Sequence, residues 1–284
     1  MTAVLVADLG GTRLRAAVVG AGKVLARQAV STPQDDPGAL ASLIRSVLAE
    51  APEPVAGVVV GVPGPIDYQR GLVLRLPNIP LWEGKVSAAG LSAELGREVL
   101  LANDADLATL GEHAFGAGQG FEDMVYMTCS TGVGAGVVIG GRLLRGRLSL
   151  AEAGHTIIDL QSGQTLEELG SGTALRKATG EHGKQTLSRI EDGDAEALAQ
   201  FSRVARAFAV GVFNMVHVFS PQAVVIGGGM SQAGELLLTP ARELLDRCQA
   251  GCPGRDVQLL RAAGGDDVGL LGGYAYWLSE APGR

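Results

Sequence analysis

Basic residues never gather into a block in this sequence, and nothing in it reads as a nucleic-acid surface: 23 Lys and Arg stand against 30 Asp and Glu, for a net charge of -7. Solubility is the simplest use of that charge. No run of about 18 apolar residues exists to cross a bilayer. Asp8 interrupts the first apolar stretch, which also lacks the basic leader of a signal peptide, so a cytoplasmic protein is expected. Cysteine is scarce. Cys129, Cys248 and Cys252 make an odd count at no familiar metal spacing, which fits plain thiols in a reducing compartment. No Pro/Ser-rich linker divides the 284 residues, so two domains meeting at a hinge, a junction that favours ligand sites, are expected.

Glycine, by contrast, is abundant. Its 42 copies cluster in turns after apolar strands, where a missing side chain lets backbone N–H groups face a ligand such as a phosphate. Two of these turns match. Val4-Leu5-Val6-Ala7-Asp8-Leu9-Gly10-Gly11-Thr12 runs on through Val18-Val19 to Gly22-Lys23; Cys129-Ser130-Thr131-Gly132 runs on through Val137-Val138 to Gly141-Arg142. Thr12 to Lys23 and Thr131 to Arg142 are the same step, eleven residues. Either turn alone is as well explained by a tight hairpin; the pair suggests two related domains gripping one phosphate chain.

Val- and Ile-rich runs alternate with helical patterns, the signature of an α/β fold. Strands are expected at 3–9, 14–19, 23–30, 56–62 and 98–102 and helices at 37–50 and 86–96, giving a first domain that ends near residue 105. A second domain (106–284) would carry a helix at 104–116, strands at 123–129, 133–139, 142–144 and 223–226, and helices at 195–219 and 232–247. The apolar segment 268–279 reads as a closing helix that packs back on the first domain.

Several side chains in this frame could carry chemistry. Asp8 ends an apolar strand, where it would be costly to bury alone; its partner is either a magnesium ion on nucleotide phosphates or Arg13 or Arg15. Asn103-Asp104 falls where a strand gives way to a helix. Asn103 suits a helix cap and Asp104 a first helical turn, or Asp104 acts as general base on an acceptor hydroxyl. Gly61-Val62-Pro63-Gly64-Pro65 and Pro77-Asn78 make rigid loops, and Asn78 offers a donor and an acceptor for sugar hydroxyls. Glu152, His155 and Glu167 could clasp a polyol, and Glu152 with His155 could begin a metal site.

Taken in order, Asp8-Leu-Gly-Gly-Thr12, Gly61-Val-Pro-Gly-Pro65, Pro77-Asn78 through Trp82, Asn103-Asp104-Ala105, Ser130-Thr131-Gly132, Glu152-Ala-Gly-His155, Glu167 and Ile226-Gly-Gly-Gly229 resemble the ROK family of bacterial sugar kinases and sugar-responsive repressors. The resemblance covers nearly the whole chain. It implies an α/β, two-domain actin-like ATPase (ribonuclease H-like) fold with an interdomain cleft, binding ATP and magnesium and forming a homodimer. It implies that Gly10, Gly11, Thr12, Thr131 and Gly132 cradle phosphates and that Gly227, Gly228 and Gly229 border the adenosine; Asp8 is the residue expected to hold the magnesium, directly or through water. Asn78, Asn103, Asp104, Glu152, His155 and Glu167 would hold the sugar, with Asp104 accepting the proton of the attacking hydroxyl. An ATP-dependent hexokinase- or glucokinase-type enzyme is expected; the alternative is a sugar-binding regulator of the same fold with little or no catalysis.

Two departures from the family matter. Its cysteine-rich zinc loop is missing, since residues 156–166 hold no cysteine and look shortened, so structural zinc is not expected and His155 loses that ligand role. The phosphate turn also begins almost at Met1 without a DNA-binding helix pair before it, which disfavours the repressor branch.

Overall fold

The computed structural model describes residues 2–76, 78–148 and 152–280; Pro77 of the expected sugar loop lies outside them. Its strands are β1 (Ala3–Leu9), β2 (Arg13–Gly20), β3 (Lys23–Ser31), β4 (Val55–Val62), the short pair β5 (Ile66–Asp67) and β6 (Leu72–Val73), β7 (Val99–Asn103), β8 (Met124–Cys129), β9 (Val133–Ile139), β10 (Arg142–Leu143), β11 (Ala223–Gly227) and β12 (Gln258–Arg261). Its α-helices are α1 (Gly38–Ala49), α2 (Ala88–Leu95), α3 (Asp104–Phe115), α4 (Leu166–Gly170), α5 (Gly172–Thr179), α6 (Gly183–Glu191), α7 (Ala195–Phe219), α8 (Glu235–Leu245) and α9 (Val268–Glu280).

Two five-stranded sheets share one design. The first has the order β3-β2-β1-β4-β7 and the second β10-β9-β8-β11-β12. In both, the central strand is antiparallel to the hairpin strand that follows it (β1 to β2, β8 to β9) and parallel to the next strand outward (β1 to β4, β8 to β11). The matched eleven-residue steps have a local cause: both hairpins turn on two consecutive positive-φ residues, Ala21 and Gly22 at 49° and 72°, Gly140 and Gly141 at 56° and 72°. That geometry matches the twist of the flanking strands. The chain thus repeats one α/β, ribonuclease H-like sheet, the duplicated architecture of actin-like ATPases.

The chain divides into two compact units, Met1–Gln119 with Leu143–Leu150 and Gly264–Arg284, and Gly120–Arg142 with Ala151–Ala263. The division falls after α3 and not at residue 105, because α3 lies along α9. Gly111 of α3 and Gly272 of α9 permit that approach: a Cβ on Gly272 would stand 1.7 Å from the Leu107 carbonyl oxygen, and one on Gly111 2.1 Å from that of Val268. Strand alternation gives the first sheet two buried faces. Leu5, Ala7 and Leu9 pack with Leu40 and Ile44 of α1, while Val4 and Val6 pack with Leu107 of α3 and Tyr274 and Trp277 of α9. In the second unit Val125 and Met127 pack with Phe201, Phe208 and Val212 of α7. Among the described residues no helix is long and apolar enough to cross a membrane.

Candidate active site

In the first unit the chain reverses from β1 into β2 through Gly10, Gly11 and Thr12. The Gly10 N–H donates to the Arg13 carbonyl at 3.0 Å, Thr32 donates to the Thr12 carbonyl at 3.1 Å, and the Thr32 hydroxyl and Gln34 amide donate to the Gly10 and Gly11 carbonyls at 2.7 and 2.9 Å. The peptide planes of the turn are therefore fixed without help from a ligand. Asn78 lies directly against this turn: a Cβ on Gly11 would meet the Asn78 Cβ at 2.5 Å, so only glycine admits the loop. Asp8, at the end of the same strand, pairs with Arg15. The guanidinium reaches Oδ2 through Nε at 3.1 Å and through Nη2, while Nη1 donates to the Asp266 carbonyl at 2.7 Å. Of the two partners the sequence left open for Asp8, the structure contains the arginine; as a hard oxygen donor, the carboxylate also fits magnesium.

Asn103 and Asp104 stand where β7 becomes α3. Asn103 is the helix cap, its Oδ1 accepting from the N–H groups of Ala105 and Asp106 at 2.9 and 3.3 Å and its Nδ2 donating to Gly64 at 3.1 Å. Asp104, the first helical residue, is exposed, with Oδ1 accepting from the Ala105 N–H at 2.8 Å. The sequence reading passed over Tyr68. Its hydroxyl accepts from the Asn103 N–H at 3.2 Å and donates to Oδ2 of buried Asp106 at 2.7 Å, pinning the strand–helix junction. Burial, first, and then the neighbouring Asp106 carboxyl push the Tyr68 phenol well above its ordinary range, so it remains a donor. Only the pairing of a tyrosine after Pro65 with an aspartate in the helix hinted at this.

In the second unit the turn at Ser130–Gly132 meets the other expected ligands. The N–H groups of Gly172 and Thr173, opening α5, donate to the Ser130 and Thr131 carbonyls at 2.7 and 3.2 Å. Oε2 of Glu167, in the first turn of α4, accepts from the Val133 N–H at 2.8 Å, and a Cβ on Gly132 would be 2.3 Å from that oxygen. Gly228 follows β11 with φ of 81°, close enough that a Cβ would sit 2.4 Å from the Cys129 carbonyl oxygen. Phosphate-turn, adenosine and sugar candidates thus adjoin one another. Glu152 precedes and His155 ends the single-turn helix Ala153–His155, with Oε2 and Nε2 3.9 Å apart; His155 is largely exposed and Glu152 less so. Partial burial raises the Glu152 carboxyl above its ordinary value, against the pull of His155 and with a further push from Glu167. Cys129, beneath the turn, is an inert core thiol, pushed up to about 12 by burial.

Each unit therefore gathers one glycine turn with polar side chains from its own helices, and the model of the ROK family matches the chain over residues 4–280. The chain belongs to the ROK family. It is 34% identical over 270 residues to a glucokinase of Thermotoga maritima, spanning 83% of this chain and 84% of that one. Among solved structures it resembles a ROK hexokinase from Thermus thermophilus with TM-score 0.85 and 32% identity, over 98% of this chain and 100% of the other. A ROK family glucokinase from Streptomyces griseus, in complex with glucose and AMPPNP, matches with TM-score 0.78 and 33% identity, over 95% and 97% of the two chains.

Proposed function

We propose that this ROK family member transfers the γ-phosphoryl group of ATP to the 6-hydroxyl of a hexose, glucose above others, with Asp104 receiving the hydroxyl proton. It is an ATP-dependent sugar kinase. The observation that carries the assignment is the Asp104 carboxylate: exposed, yet fixed by a helix start that Asn103, Tyr68 and Asp106 lock in place. Phosphoryl transfer asks a protein mainly for positioning and for charge stabilisation at the equatorial oxygens. A carboxylate held on a helix start supplies the first at the acceptor, and the glycine turns supply backbone for the second.

In this reading the turns at Gly10–Thr12 and Thr131–Gly132 hold the phosphates, with Gly227–Gly229 beside the adenosine. Asn78, Glu152, His155 and Glu167 hold sugar hydroxyls, and the Gly11–Asn78 and Gly132–Glu167 approaches tie these holders to the turns. Asn103 contributes mainly as the cap that places Asp104; its sugar contact would come from the second Nδ2 hydrogen. Magnesium, when bound, supplies neutralising charge on the phosphate oxygens. Asp8 would hold it, most simply through water, using the oxygen that Arg15 does not engage.

The test is a coupled assay of sugar-dependent ADP release with glucose, mannose, fructose and the N-acetylhexosamines. Turnover with glucose, yielding a 6-phosphate, is expected. Binding of sugar without ADP release from any of the panel would sink the kinase reading and leave a sugar-responsive regulator.

A further inference from the structure

We propose that His217, Cys248 and Cys252 bind a zinc ion, with solvent completing the fourth position. The three residues come from separate places in the second unit. His217 is in the last turn of α7, Cys248 follows the end of α8, and Cys252 caps the single-turn helix Pro253–Arg255. One ligand atom from each nonetheless lies within 4.8 Å of the other two. Nε2 of His217 is 3.0 Å from Sγ of Cys252 and 3.6 Å from Sγ of Cys248. Ligands on one tetrahedral zinc, with bonds of about 2.0–2.3 Å, stand roughly 3.5–3.8 Å apart. A small adjustment of these side chains would admit the ion.

Two further observations point to a metal. Nδ1 of His217 lies 2.8 Å from the Phe213 carbonyl oxygen; donating its hydrogen there fixes the tautomer that leaves a lone pair on Nε2, toward the sulfurs. Metal-bound imidazoles are usually oriented by such a bond. The ring is also stacked on Phe213 with centroids 4.0 Å apart, which limits its rotation. The loop is equally prepared. The Cys252 N–H donates to Gln249 and its carbonyl accepts from the Arg255 N–H, both at 3.0 Å, and the Arg255 side chain donates to the Cys248 carbonyl at 3.3 Å. Glycine at 254 lets the loop close on the thiol, since a Cβ there would be 2.8 Å from Sγ of Cys248. Two sulfurs and an imidazole favour zinc over magnesium or calcium, which prefer oxygen, and the exposed His217 with its partly exposed cysteines gives the ion a route in.

The cysteine spacing gave no sign of this because the third ligand lies 31 residues before Cys248, on another helix. The site shares no residue with the sugar and nucleotide positions proposed above, so it stands or falls separately from the kinase reading. Bound metal would tie the end of α7 to the segment after α8.

The test uses the full chain, reduced and stripped with a chelator, titrated with zinc chloride against a chromophoric competitor. About one equivalent per chain is expected. Binding should be lost in Cys252→Ser and His217→Gln, both keeping the parent's circular dichroism and sugar-kinase turnover. Cobalt(II) should show thiolate-to-metal charge-transfer absorption in the parent alone, and zinc should slow alkylation of Cys248 and Cys252. Failure of the parent to compete for zinc, equal zinc uptake by either variant, or a Cys248–Cys252 disulfide persisting in reductant would each overturn the proposal.

Discussion

Single side chains set the limits of this site, and Glu152 does so through its charge. It accepts sugar hydroxyl hydrogens most strongly, at both oxygens, when ionised, and partial burial raises its carboxyl above the ordinary value. As pH falls, the ionised form is therefore lost earlier than for an unburied glutamate. The acidic limb of kcat/KM for sugar should lie higher than an unburied glutamate would set it, and Glu152→Gln should move that limb while lowering sugar affinity. A pH–rate profile whose acidic limb is the same in parent and variant would remove Glu152 from the sugar site. Gly11 acts through its missing side chain. Because a Cβ there would meet the Asn78 Cβ at 2.5 Å, Gly11→Ala must displace the Asn78 loop. Displacements of about 1 Å can cost about 10²-fold; a rise in sugar KM of at least several-fold is expected from initial-rate kinetics, and an unchanged KM would separate Asn78 from the sugar.

Among the elements, the start of α3 and its crossing with α9 matter most. Tyr68→Phe deletes the hydroxyl that joins the Asn103 N–H to the buried Asp106 carboxylate. Leaving such buried groups short of a partner costs about 1–3 kcal/mol, and thermal unfolding should show a matching fall in Tm. Turnover should fall with it because Asp104 sits on the same helix start. At the crossing, Gly272→Ala sets two effects against each other. Alanine gains about 1 kcal/mol of helix propensity, but its Cβ would stand 1.7 Å from the Leu107 carbonyl oxygen, a backbone atom that cannot swing aside. Overpacking of about 1–3 kcal/mol wins, and a lowered Tm is expected; an unchanged or raised Tm would mean that the two helices part at little cost. Glu112 ties the same elements, its carboxylate accepting from Ala117 at 2.8 Å and from Gly264, just before α9, at 2.7 Å.

At the scale of the molecule, much of the repeated sheet could be read from the chain before any coordinates. The β1, β2, β8 and β9 runs are short, apolar and bounded by turn residues, so strands and matched hairpins stood out. Segments whose apolar content is low or whose partners are remote were harder. Helices α5 and α6 carry mostly polar residues between Ser171 and Glu191, and the edge strand β12 spans only Gln258–Arg261. The division after α3 was not legible for a related reason: α3 follows β7 without a break, and its membership of the first unit depends on α9, more than 150 residues later. Site candidates were legible where a glycine turn marked them. The supports were less so: Arg15 was one of two arginines the sequence offered to Asp8, whereas Tyr68 on Asn103 and His217 beside two cysteines are pairings that only the fold creates.

The central proposal is Asp104 as the base of a sugar kinase, and one comparison tests it most directly: steady-state turnover with glucose and ATP for Asp104→Ala beside calorimetric ATP binding to the same protein. The predicted result is a loss of about 10²–10⁴-fold in kcat with nucleotide affinity near that of the parent. Near-normal turnover in the variant would contradict it.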